Sequence, residues 1–118
     1  MKEVQVHLDR LPPQNIEAEQ FIIGAVLIDN DALPKALEII EPGDFYRLSH
    51  NKIFSAMIDL FDKNEPIDII TLTDQLSKRE ELEAVGGVSY LSALVNMIPT
   101  AANIRYHCHI VREKALLR

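Results

Sequence analysis

Leu11-Pro-Pro-Gln-Asn-Ile-Glu-Ala-Glu-Gln-Phe-Ile-Ile-Gly24 decides the fold class. Pro12 and Pro13 hold the chain extended and cannot continue a helix backwards. Asn15 stands where a helix cap belongs. Glu17 and Glu19 then place negative charge on a first turn whose free N–H groups favour it. From Phe21 to Ile28 the chain is apolar on all sides, a pattern a buried strand would share. Length separates the two readings, because Asn15 to Ile28 is too long for a typical strand. The spacing predicts a helix over 15–28 that is central and buried all round.

The segments that follow repeat a helical period. Asn30 and Asp31 are placed to cap a second helix, with Pro34 in its first turn and Leu33, Ala36, Leu37 and Ile40 on one face. Glu41-Pro42-Gly43 stops it. Asp44 to Leu48 is a connector carrying two aromatics. Ser49 can cap a third helix whose stripe is Ile53, Phe54, Met57, Leu60 and Phe61. Thr71 with Asp74 resembles a shortened capping box for a fourth helix over 72–79. A helical turn at 80–85 closes on Gly86-Gly87, which can supply left-handed backbone. A fifth helix is expected over 88–98, with Val88, Leu91, Leu94, Val95 and Ile98 facing the core. Pro99 ends it, and Thr100 caps a sixth from Ala101 onwards. Residues 1–10 have no helical period and read as a mobile arm, although alternating Val4, Val6 and Leu8 would also suit a short strand. The fold class is all-α, a compact bundle of about six helices.

Composition narrows the function. The 118 residues are 47% hydrophobic and carry a net charge of −6, enough for one domain with a real core and ill suited to phosphate-rich partners. The basic residues are scattered among acids, so direct DNA binding by this segment is disfavoured. One cysteine, Cys108, rules out an intrachain disulfide and fits a reducing compartment. No apolar run approaches the ~20 residues of a spanning helix. None of the four glycines begins Gly-x-x-x-x-Gly-Lys-Ser/Thr, so the chain cannot be a Walker-type ATPase. His107-Cys108-His109 suggests a metal cluster, but neighbours on a helix point about 100° apart and the two histidines diverge. Acid pairs such as Glu80/Glu81 and Asp59/Asp62 read as solvated faces and caps. Catalytic, cofactor and metal residues are therefore all expected to be absent.

Surplus apolar surface is the stronger signal. On the sixth helix Ile104, Cys108, Val111 and Ala115 form one stripe, and Tyr106, Ile110 and Leu117 form a second on nearly the opposite side. One stripe suffices for a helix's own core. The second calls for a following helix, another subunit, or burial within one intact domain. On the fifth helix Tyr90, Ala93 and Met97 lie off the core stripe, either as a contact surface or packed under the sixth helix. Glu17 is a partner contact or a complement to the helix dipole. The final Arg-Glu-Lys-Ala-Leu-Leu-Arg has no stop signal, which reads as a helix cut from a longer protein.

Several segments together resemble the N-terminal domain of DnaB-type bacterial replicative helicases. They are Pro12 to Gln20, Asp44 to Arg47 with His50 to Phe54, Gly86 to Leu91, Pro99 to Ile104, and Tyr106 to Arg118. The resemblance implies a non-catalytic collar on a hexameric helicase that unwinds DNA, with ATP and magnesium belonging to a motor domain outside this chain. It implies an arm over 1–14, a globular head over 15–99, and over 100–118 the first arm of a helical hairpin. It further implies pairing with other copies, docking of the primase C-terminal domain, contact with a helicase loader, and a bacterial cytoplasmic setting. Glu17, Tyr90 and Met97 are the candidate partner contacts; Tyr106, Ile110 and Leu117 are candidates for the subunit or hairpin interface. A free-standing helical adaptor sharing the same head is the alternative.

Overall fold

A computed structural model of the protein describes residues 11–118; the expected arm over 1–10 lies outside them. In chain order the elements are α1 (Ile16–Ile28), α2 (Ala32–Leu37), a 3₁₀ turn (Pro42–Asp44), α3 (Leu48–Asp62), α4 (Ile69–Lys78), α5 (Gly87–Met97) and α6 (Ile104–Leu117). There is no strand among the described residues, so the all-α reading holds. No described helix is long and apolar enough to cross a membrane.

α1 is the axis of the fold. Asn15 accepts the N–H of Ala18 at 3.0 Å and stands in extended backbone, so the expected cap is present. Ile22, Ile23, Ala25 and Val26 are fully buried, as an all-round apolar helix requires. α5 and α6 cover one side of α1; α2 and α3 contact it elsewhere. A single cluster joins Ile53, Phe54, Met57 and Leu60 of α3, Leu72 and Leu76 of α4, Leu91 and Leu94 of α5, and Ile104, Cys108 and Val111 of α6.

Four start and stop signals resolve differently from the sequence reading. α2 ends at Leu37; Ile40 still reaches the core because the N–H groups of Ile39 and Ile40 both turn back onto the Ala36 carbonyl. α3 starts before Ser49, with Arg47 at the cap position and no side-chain cap of its own. α4 is capped by Asp68, which accepts the Thr71 N–H at 2.9 Å while Thr71 Oγ1 accepts the Asp68 N–H at 3.0 Å. Thr71 is thus the far member of the box and not its cap: Asp68 has the extended backbone a cap needs. Thr100 accepts the Ala102 N–H in a turn, and α6 begins only after Asn103, whose φ is +68°. Phe61 and Val88, placed on core stripes by periodicity, are exposed.

Two side-chain devices join the elements. Asn30, expected as a cap, instead pairs with the backbone of Ile67, donating to its carbonyl at 2.8 Å and accepting its N–H at 2.9 Å. It ties the end of α1 to the start of α4. Asp59 of α3 accepts from Gln75 and Arg79 at 3.0 and 2.7 Å, stitching α3 to α4.

α3 and α4 end alike. The N–H of Glu65 returns to the Leu60 carbonyl past left-handed Asn64, and the N–H of Glu81 returns to Leu76 past left-handed Glu80. Asn tolerates that conformation, but Glu pays about 1 kcal/mol for it. Glu80→Gly removes the steric cost and gives back part of it as extra unfolded-chain entropy. Urea unfolding is expected to show a net gain of about 0.5 kcal/mol, and a loss of that size would show that the Glu80 side chain makes a stabilising contact.

Candidate functional site

Three features lie where chemistry or contact can occur: a buried polar bridge, a groove beside it, and the outer face of α6. Glu19 of α1 is 1% exposed and His50 of α3 is fully buried. The Glu19 carboxylate accepts the N–H groups of Tyr46 and Arg47 at 2.7 and 3.3 Å and a hydrogen bond from His50 Nδ1 at 2.8 Å. Both N–H groups lie just ahead of α3, so Glu19 anchors the chain that enters the helix and sets a carboxylate near its N-terminus. His50 Nε2 lies 2.6 Å from the Tyr90 hydroxyl. Gln20 Nε2 and Arg47 Nη1 donate to that same oxygen at 3.2 and 3.4 Å. Two incoming donors fill its lone pairs, so the phenol proton goes to His50 Nε2 and Nδ1–H to Glu19. The bridge is closed at every atom and binds α1, α3 and α5 together.

Tyr90 therefore sits half-buried in this bridge and not under α6. Its ring stacks on His50, with centroids 5.9 Å apart and planes 11° from parallel. Sequence reasoning placed Glu19 only on a first turn and gave His50 no role. The available signal was a lone acid on a helix face otherwise expected to be buried.

The groove opens between the start of α1, the end of α5 and the middle of α6. It encloses about 550 Å³, with Asn15, Glu17 and Phe21 on one side and Met97, His107 and Ile110 on the other. Phe21 and His107 stack face to face, 3.8 Å between centroids, and His107 Nδ1–H donates to the Asn103 carbonyl at 2.9 Å. Three of the sequence candidates, Glu17, Met97 and Ile110, thus line one cavity. Gln20 reaches it as well, which connects the groove to the Tyr90 bridge. Its walls are mixed, with Asn15, Glu17, Gln20 and His107 set among Phe21, Met97, Ile98 and Ile110, a surface suited to a protein segment.

On α6 the expected inner stripe is buried through Ile104, Cys108 and Val111. Of the outer stripe, Tyr106 is 68% and Leu117 is 63% exposed; Ile110 is partly covered at the groove. Leu116 adds to the exposed apolar surface. Burial pushes the Cys108 thiol up to about 12, which leaves it protonated and unreactive. Among the described residues no three His, Cys, Asp or Glu side chains gather as a metal would need.

Comparison with known proteins fits this arrangement. Residues 11–113 match the sequence profile of the family described as "DnaB-like helicase N terminal domain". The chain is 54% identical over 110 residues to "Replicative DNA helicase DnaC" of Bacillus subtilis (strain 168), covering 93% of this chain and 24% of that protein. Identity and coverage are the same for "Replicative DNA helicase DnaB" of Geobacillus stearothermophilus. The chain thus spans about a quarter of the length of these relatives. The crystal structure of the N-terminal domain of DnaB helicase from Mycobacterium tuberculosis superposes with a TM-score of 0.89 at 44% identity, covering 92% of this chain and 75% of that one.

Proposed function

Because this chain belongs to the family of DnaB-like helicase N-terminal domains, we propose that it is the non-catalytic collar of a replicative helicase, serving subunit assembly and primase docking. The observation that carries this reading is the apolar outer face of α6, where Tyr106, Leu116 and Leu117 stand in solvent on a helix already packed against α1. A face of that kind is stable when another helix or another copy covers it. Residues 15–99 form the head in this reading, and 100–118 begin a hairpin arm. The sequence lacks the Gly-x-x-x-x-Gly-Lys-Ser/Thr loop of a Walker-type ATPase. ATP, magnesium and strand separation belong to a motor portion of the parent protein.

Assembly is tested on the protein itself by size-exclusion chromatography with light scattering. Self-association is expected to rise with concentration and to vanish in Tyr106→Asp/Leu117→Asp with thermal unfolding little changed. A wild type that stays monomeric at its highest soluble concentration would remove assembly from the reading.

Docking is assigned to the groove that gathers Glu17, Met97 and Ile110. Isothermal titration with a purified primase C-terminal domain should give binding that Met97→Ala weakens by about 1–2 kcal/mol, the range of a buried contact residue. Met97 is more than half exposed, so its truncation should leave stability nearly unchanged. Wild-type affinity in the Met97→Ala and Ile110→Ala variants would move the docking site elsewhere. Tyr90→Ala is the wrong probe, because the phenol also holds the buried bridge together.

A further inference from the structure

α6 is fastened to the head in two different ways along its length. Its first half is held by apolar burial at Ile104, Cys108 and Val111. Beyond Val111 no α6 residue is buried. That half is held by arginines instead. Arg112 Nη1 donates to Asp44 Oδ1 at 2.7 Å, and Arg118 Nη2 donates to the Asp44 carbonyl at 2.7 Å. Arg118 Nη1 also donates to the Pro13 carbonyl at 2.9 Å, with its guanidinium 5.4 Å from the Tyr46 ring centre. Arg105, one heptad before Arg112 and so on the same flank, pairs with Glu38 at 3.3 Å.

The receiving group is itself prepared. Asp44 is 5% exposed in the 3₁₀ turn. Its Oδ2 accepts the Glu41 N–H at 3.0 Å, which aims Oδ1 at Arg112. Among the described residues, Arg112 is the ion-pair partner of this nearly buried carboxylate. Releasing Arg112 would leave that carboxylate short of a partner, whereas releasing the end of α6 uncovers little apolar surface.

We propose that residues 112–118 form an arginine strap latched on Asp44, a local unit that opens independently of the rest of the bundle and sets the direction in which Leu116 and Leu117 are presented. The latch runs from Arg112 and Arg118 to the 3₁₀ turn and the Pro13 carbonyl, and none of these groups lines the groove. A failed primase titration would therefore leave it standing.

Native-state amide hydrogen exchange on the 118-residue protein tests it. In Arg112→Ala/Arg118→Ala, the amides of residues 114–117 are expected to exchange about tenfold faster or more, while those of 22–26 in α1 and 54–60 in α3 keep their wild-type rates. Should the double variant fail to fold, Asp44→Asn tests the Arg112 half of the latch, since its amide can still accept from Glu41 but no longer carries the charge that holds Arg112; the Arg118 bonds to main-chain carbonyls remain, so a smaller acceleration at 114–117 is expected. Three results would overturn the strap: wild-type rates at 114–117 in the folded variant, an equal acceleration through α1 and α3, or no protection at 114–117 in the wild type.

Discussion

Glu19→Ala is expected to lower the unfolding free energy by about 3 kcal/mol, a loss on the scale of a core truncation although the residue is polar. The carboxylate is nearly inaccessible and accepts from Tyr46 N–H, Arg47 N–H and His50 Nδ1. Alanine strands these donors at once. A buried donor left without an acceptor costs about 1–3 kcal/mol. Arg47 lies near solvent and its bond is the longest of the three, so water recovers part of that contribution. The start of α3 also loses a carboxylate close to its N-terminus. Urea unfolding should show a lower midpoint with an unchanged slope, since the folded shape survives. Tyr90→Phe removes only the far end of the bridge and should cost about 1 kcal/mol. The double variant should lose less than the sum, because both changes break one chain of hydrogen bonds. A Glu19→Ala loss below about 1 kcal/mol would mean that the bridge is replaceable by water.

The parts of this fold that can be read in the sequence are those set by neighbours along the chain. α1 was legible because proline, cap, first-turn acids and apolar length all agree within 18 residues, Leu11 to Ile28. The inner stripe of α6 was legible from its period alone. Where two local signals compete, backbone geometry decides. Asp68/Thr71 and Thr71/Asp74 are overlapping capping boxes, and only the extended backbone at Asp68 chooses between them. The site was less legible, because its parts meet from afar. The donors to Glu19 come from 27, 28 and 31 residues away, and the groove takes its walls from three helices. Glu17, Met97 and Ile110 could each be singled out as surplus to the core. That they share one cavity follows from the way α5 and α6 cross α1. The strap was hidden for a related reason: Arg112 lies in an ordinary-looking run of charges, and its partner Asp44 is 68 residues away.

Gly24→Ala should be the other large effect, and its sign runs against helix propensity. Alanine in the middle of an exposed helix would gain about 1 kcal/mol over glycine. Gly24 is where α1 lies against the end of α5. A Cβ built there would stand 2.5 Å from Ile98 Cγ1 and 2.8 Å from the Leu94 carbonyl oxygen. The Ile98 side chain can rotate aside, but a backbone carbonyl inside a helix cannot. α5 must therefore move off α1, and overpacking of this kind costs typically ~1–3 kcal/mol, with the upper end expected where backbone is the obstacle. After the propensity gain, a net loss of about 2 kcal/mol should appear as a lower thermal midpoint. Gly24→Ala/Ile98→Ala should recover only part of it, because the carbonyl contact remains. The displacement also reaches the groove, since Met97 and Ile98 form its α5 wall. The Met97 methyl resonance should shift in the variant, and any ligand of the groove should bind more weakly even where the domain stays folded. Stability equal to or above wild type in Gly24→Ala would show that the α1–α5 spacing is adjustable, and that the missing side chain at position 24 is not what lets the two helices approach.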